Sequence, residues 1–141
     1  MSLFEWPARV YWEDTDGGGI VYYANYLRFL ERARTEWLRA QGHSQLQLQQ
    51  EPGIVFAVVS LTVDYRAPAR LDDELSITCA PRAQGAASLR FAQQIFRAGA
   101  ARQLLVEANV RVACVDAHSL RPQRLPAFLT EALGAGAAGH E

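Results

Sequence analysis

Glu13-Asp14-Thr15-Asp16-Gly17-Gly18-Gly19-Ile20-Val21-Tyr22-Tyr23-Ala24-Asn25-Tyr26 separates a short strand-like segment from one long amphipathic helix, and most of the chain beyond that helix reads as strand. The stretch places three carboxylates and three glycines within positions 13–19. Glycine adopts backbone angles closed to other residues and lets a second molecule approach the main chain. A helix start adds unpaired N–H groups and a partial positive charge. Carboxylate, bare backbone and helix N-terminus together make a candidate site.

On the N-terminal side, Arg9 to Glu13 alternates as a strand, with Val10 and Trp12 on one face and Pro7 at its edge. On the C-terminal side the period becomes helical from Ala24 to Gln41. Tyr26, Phe29, Leu30, Ala33 and Trp37 share one face, and Arg28, Arg32, Thr35 and Arg39 lie opposite. Asn25 is the candidate N-cap and Gly42 the stop. Arg34 projects near the apolar face, which predicts either a snorkelling side chain or an ion pair at a subunit interface.

A glutamine-rich connector, His43 to Gly53, precedes strand-like segments. Val55, Ala57, Val59, Leu61, Val63 and Tyr65 form one apolar alternate set. Leu75, Ile77 and Cys79, then Leu89, Phe91, Gln93 and Ile95, then Leu104 to Cys114 at every second position, form the next three. Short turns between such strands require antiparallel neighbours. The expectation is one strand, one helix, then four strands in a meander, which makes an α+β domain over 1–132. A flexible C-terminal tail is expected over 133–141.

A chain of 141 residues suits one domain with a sizeable core. A net charge of −1 gives no reason to expect nucleic acid or an anionic membrane as partner. No apolar run is long enough for an integral membrane segment, and the first residues lack signal-peptide character. Cys79 and Cys114 match neither a disulfide framework nor metal-ligand spacing, so a reducing cytoplasm fits.

Three chemistries compete for the opening stretch. A calcium loop starting at Asp14 fails where Gly18 and Asn25 stand at ligand positions. A phosphate-binding loop fails because Gly19 is followed by Ile20-Val21 rather than Lys-Ser/Thr. The third is a carboxylate beside an oxyanion-type donor: an ionised Asp attacks a carbonyl or activates water, while N–H groups at the helix start polarise it. The plain alternative is a glycine turn whose acids are solvated or cap the helix.

The run Arg9 to Tyr26, its continuation Phe29-Leu30-Glu31-Arg32-Ala33-Arg34-Thr35-Glu36, and Tyr65-Arg66-Ala67-Pro68-Ala69-Arg70-Leu71-Asp72-Asp73 resemble the hotdog-fold thioesterases of the 4-hydroxybenzoyl-CoA thioesterase family. The resemblance covers nearly the whole chain apart from its tail, and is greatest to the Tol–Pal-associated acyl-CoA thioesterases of the YbgC type. It implies a hotdog fold, an antiparallel sheet of about five strands wrapped around one long helix. It implies Asp16 as the catalytic carboxylate and the backbone N–H of Tyr23 as donor to the thioester carbonyl; Gly19 and Tyr22 are read as neighbouring substrate-binding residues. YbgC-type relatives carry His where this chain has Tyr23, so a proton-transfer role for that side chain does not carry over. The 4-hydroxybenzoyl-CoA branch has Tyr there.

Asp14 is read as a loop support. Tyr22, Tyr26 and Phe56 are candidates for the acyl pocket, and Arg66, Arg70 and Arg90 are candidates for coenzyme A phosphates or a solvated surface. No role is assigned to His43, His118 or His140. The expected activity is hydrolysis of acyl-CoA to free acid and CoA, without metal or other cofactor, in a homo-oligomer, dimer or tetramer. Acyl carrier protein is the second candidate carrier. The alternative is a non-catalytic scaffold that holds acyl thioesters or acyl carrier protein. A hotdog hydratase is disfavoured because no His lies close to Asp16 in the sequence.

Overall fold

Helix α1 (Tyr26–Ala40) buries the face predicted for it: Tyr26, Phe29, Leu30, Ala33, Trp37 and Leu38 are all buried. Each large apolar side chain so removed from water contributes roughly 1.5–3 kcal/mol before chain entropy is counted. Gly42 ends the helix with φ +95°, where the His43 N–H reaches back to the Leu38 carbonyl at 3.3 Å. The computed structural model describes residues 3–138.

The helix packs on an antiparallel sheet of five strands: β1 (Phe4–Arg9), β2 (Ile54–Tyr65), β3 (Glu74–Ala83), β4 (Ser88–Arg97) and β5 (Gln103–Asp116). The strand order is β1-β3-β4-β5-β2. The α+β expectation holds, but the four-strand meander does not. Only β3, β4 and β5 run consecutively, and β2 crosses to pair with β5. The segment after β2 is engaged elsewhere, because Ala69 and Leu71 bond to the glycine-rich stretch.

The first strand also lies earlier than expected. Residues Phe4–Arg9 pair with β3, with Pro7 inside this edge strand, while Trp12–Asp14 form a 3-10 turn. The Asp14 carboxylate accepts the Tyr11 N–H at 2.8 Å, and this local bond replaces strand pairing. The connector His43–Gly53 contains a short helix, α2 (Gln45–Gln50), opened by a reciprocal Ser44–Gln47 cap. A third helix, α3 (Ala127–Ala138), runs across the boundary expected at 132/133, and the remaining residues of the expected tail lie outside those described. Leu129 of α3 is fully buried.

Strand β2 carries its apolar set differently from expectation. It is an edge strand with a bulge between Val58 and Ser60, and Val58, Val59, Leu61 and Tyr65 are exposed. Within the chain Arg34 does not snorkel to solvent. It is partly buried, donates to Gln93 Oε1 at 3.1 Å and lies 6.0 Å from the Phe91 ring centre. Burial pushes its pKa down. Gln93, 1% exposed, also donates to the Leu30 carbonyl at 3.1 Å, so this pair links α1 to β4 by polar bonds through the core.

Candidate functional site

The glycine-rich stretch folds into a tight hairpin. Thr15 bridges Val21, and the Asp16 N–H donates to the Ile20 carbonyl at 3.0 Å. Gly17 and Gly19 turn the tip with φ near +90°, a region that side-chain-bearing residues rarely enter. Asp16 is exposed, and its Oδ1 accepts the Gly18 N–H at 2.7 Å. The carboxylate is therefore presented to solvent at the hairpin tip with one oxygen held by the backbone.

A second segment fixes the hairpin's position. Val21 N–H donates to the Ala69 carbonyl at 2.9 Å, Leu71 N–H to the Gly19 carbonyl at 3.0 Å, and Ile20 bridges Arg70. The Asp14 carbonyl accepts from the Tyr22 N–H at 3.0 Å and from Asn25 Nδ2 at 2.8 Å. Asn25 thus ties the loop to the helix start and does not cap α1 with its side chain. Asp14 is buried in this junction, in keeping with a supporting role.

Tyr23 heads a 3-10 turn, Tyr23–Asn25, that leads directly into α1. As the first residue of the turn its N–H has no partner within it, and among the described residues no other acceptor is bonded to it. The Tyr23 and Tyr22 rings are exposed and lie 5.0 Å apart. Tyr26 is buried, and its hydroxyl accepts the Ala69 N–H at 2.9 Å, so it serves the core. One hairpin and the turn after it thus hold Asp16, Gly19, Tyr22 and Tyr23 in continuous chain order.

The other candidates divide. Arg66 pairs with Glu107 on the sheet, and Arg90 donates to Gln84 at 3.1 Å, whereas Arg70 sits beside the hairpin. His43 stacks on Phe128 with ring centres 3.6 Å apart, His118 is exposed on a turn after β5, and His140 lies outside the described residues. Burial pushes the thiols of Cys79 and Cys114 up to about 12 and about 11, which keeps them protonated at neutral pH and unfit as nucleophiles.

A mainly apolar cavity of about 130 Å³ lies along the C-terminal half of α1, with Trp37, Leu38, Phe56, Phe91 and Leu129 among its walls and Glu31, Arg34, Thr35 and Gln45 on its polar side. None of its lining residues comes from the hairpin. Phe56 is the one residue it shares with the acyl-pocket candidates. Tyr65, to which sequence reasoning gives no site role, donates from its hydroxyl to the Tyr23 carbonyl at 3.2 Å. Nothing local marks that contact, because 42 positions separate the two residues.

The family profile of the Thioesterase-like superfamily matches residues 10–133. The chain is 50% identical over 125 residues to the acyl-CoA thioester hydrolase YbgC of Escherichia coli, covering 89% of this chain and 91% of that protein. It is 42% identical to the acyl-CoA thioesterase YbgC of Haemophilus influenzae, over 87% and 88%. Among solved structures, a probable thioesterase from Bartonella henselae superposes with a TM-score of 0.82 at 33% identity, over 89% of this chain and 100% of that one. An Asp-to-Asn mutant of 4-hydroxybenzoyl-CoA thioesterase, complexed with 4-hydroxybenzoyl-CoA, gives 0.83 at 25% identity over 92% and 97%. With the profile match spanning most of its length, the chain belongs to the Thioesterase-like superfamily.

Proposed function

We propose that this protein hydrolyses acyl-CoA thioesters to the free acid and coenzyme A, with Asp16 as the catalytic carboxylate. The observation that carries this reading is an exposed carboxylate at a hairpin tip followed by an uncommitted Tyr23 N–H at the head of the 3-10 turn that leads into α1. The thioester carbonyl accepts that N–H, and the charge that develops on its oxygen meets a preorganised donor at a helix start. Asp16 attacks the carbonyl carbon or takes a proton from water that does. Gly19 and Tyr22 flank the approach. The chemistry uses no metal or redox cofactor, and dialysis against EDTA should leave turnover unchanged. Half identity to a named acyl-CoA thioester hydrolase supports the substrate class.

The exposed apolar edge of β2 supports a homodimer in which two such edges pair and remove the open strand. Antiparallel pairing within the exposed run sets the Phe56–Val58 end of one protomer against the Thr62–Tyr65 end of the other. The cavity at Phe56 then opens toward the partner's hairpin and receives the acyl group. Its volume is close to that of a cavity that holds benzene, about 150 Å³. A tetramer, a cytoplasmic location, an association with the Tol–Pal system and use of acyl carrier protein as carrier belong to this proposal and rest on the family resemblance.

The test is Asp16→Asn. The variant should fold, bind acyl-CoA in calorimetry and release no thiol in a chromogenic assay across chain lengths. Normal turnover by the folded variant would overturn the mechanism. Binding without turnover by the wild type would favour the scaffold alternative.

A further inference from the structure

Tyr65 ends β2 and reaches the start of α1. Besides the bond from its hydroxyl to the Tyr23 carbonyl, its ring stands edge-on to Tyr23 (6.3 Å between centres, 87°) and tilted against Tyr26 at 5.5 Å. No other side chain among the described residues bonds to the main chain of the Tyr23–Asn25 turn. The Tyr23 carbonyl also receives the N–H of Tyr26, the residue after the turn, which it shares with the Ala24 carbonyl. A shared bond holds a 3-10 turn weakly, and the Tyr65 hydroxyl supplies a second anchor from the sheet. Burial pushes the Tyr65 phenol up, with the neighbouring Tyr23 phenol adding to the effect, so the hydroxyl stays a donor at neutral pH.

We propose that Tyr65 is a positioning residue for thioester hydrolysis: by holding the Tyr23 carbonyl, it fixes the orientation in which the Tyr23 N–H meets the developing oxyanion. The proposal rests on the role of Tyr23 in the proposed function. Tyr65 belongs to a chain of ties that aligns both halves of the site. Val21 is held by Ala69, Ala69 by the Tyr26 hydroxyl, the Tyr26 ring lies against Tyr65, and Tyr65 holds Tyr23. The hairpin that carries Asp16 and the turn that carries the donor are therefore referred to one strand end. An oxyanion contact strengthens as charge develops, so loosening it lowers kcat and leaves ground-state binding nearly intact.

Tyr65→Phe removes the hydroxyl and keeps the ring. Its kcat on acyl-CoA should fall about tenfold, with KM within about twofold, as expected for a misdirected but still present donor. In ¹H–¹⁵N spectra the Tyr23 and Ala24 amides should shift, while amides of β3 and β4 stay in place. Tyr65→Leu, which also removes the ring, should lower Tm as well as kcat. A wild-type kcat for Tyr65→Phe, or a rise in KM alone, would overturn the proposal. So would a loss of Tm large enough to account for the lost activity, since that assigns Tyr65 to the fold. Asp16→Asn run alongside separates the two readings. If it retains turnover, the proposed mechanism through Asp16 fails; if it is inactive while Tyr65→Phe keeps the full rate, only the positioning role fails.

Discussion

The Ala69 N–H donates to the Tyr26 hydroxyl at 2.9 Å, and both residues are almost wholly removed from solvent. Burial pushes the Tyr26 phenol up, more than the Ala69 bond lowers it, so the hydroxyl is protonated in the native protein. Tyr26→Phe leaves the Ala69 N–H buried without a partner, which costs about 1–3 kcal/mol. The expected outcome is a Tm lower by several degrees in a thermal melt. An unchanged Tm would show that water or a shifted backbone satisfies Ala69.

Gly18 and Gly17 separate space from conformation. A Cβ at Gly18 would come within 3.1 Å of Asp16 Oδ1, whereas at Gly17 it would meet nothing but would sit at φ +89°. Gly18→Ala should displace the carboxylate and lower thiol release about tenfold with little change in Tm. Gly17→Ala should lower stability by roughly 1 kcal/mol. Equal kinetics for Gly18→Ala and wild type would mean that the carboxylate's position at the tip does not matter.

The β2 edge predicts an assembly phenotype. Val59 and Leu61 are 52% and 41% exposed in the protomer. Lys in place of both should block edge pairing and shift the molar mass measured by light scattering toward that of one chain. In the proposed dimer this also takes the cavity at Phe56 away from the partner's hairpin, so KM for acyl-CoA should rise in the same variant. A monomeric variant with wild-type kinetics would separate assembly from activity.

The two buried thiols predict an alkaline instability. In the unfolded chain they ionise near 9, whereas in the fold they hold their protons up to about 12 for Cys79 and about 11 for Cys114. Their contribution to stability is therefore complete below pH 9 and is lost as pH rises from 9 toward 11–12. Denaturant midpoints should fall over that window, and less steeply in Cys79→Ala. Native protein at pH 8 should react only slowly with a chromogenic disulfide reagent; rapid reaction of both thiols would contradict their burial.

Much of the fold is legible because its signals are local. The face of α1 follows from a 3.6-residue period, and Gly42 stops the helix at a φ that glycine tolerates. The alternation of β3, β4 and β5 shows which side meets α1. Ser44-x-x-Gln47 marks the start of α2, yet one capping signal over so short and polar a segment does not distinguish a helix from a connector. Asn25 departs from its expected cap for a related reason. Cap propensity is a local preference, and the Asp14 carbonyl across the hairpin competes successfully for the side chain.

By itself the sequence determined the α+β class, the long helix, the runs of strand and the place of Asp16 on a glycine turn before a helix start. Periodicity, glycine conformation and capping act over a few residues, so they survive without knowledge of neighbours. Only the tertiary structure decided that β2 lies at the sheet edge beside β5, that Arg34 meets Gln93, that Asn25 grips Asp14, and that Tyr65 holds Tyr23. Those contacts depend on which partners chain closure brings within hydrogen-bond distance. Closure is a property of the whole packed chain, and no window of sequence contains it.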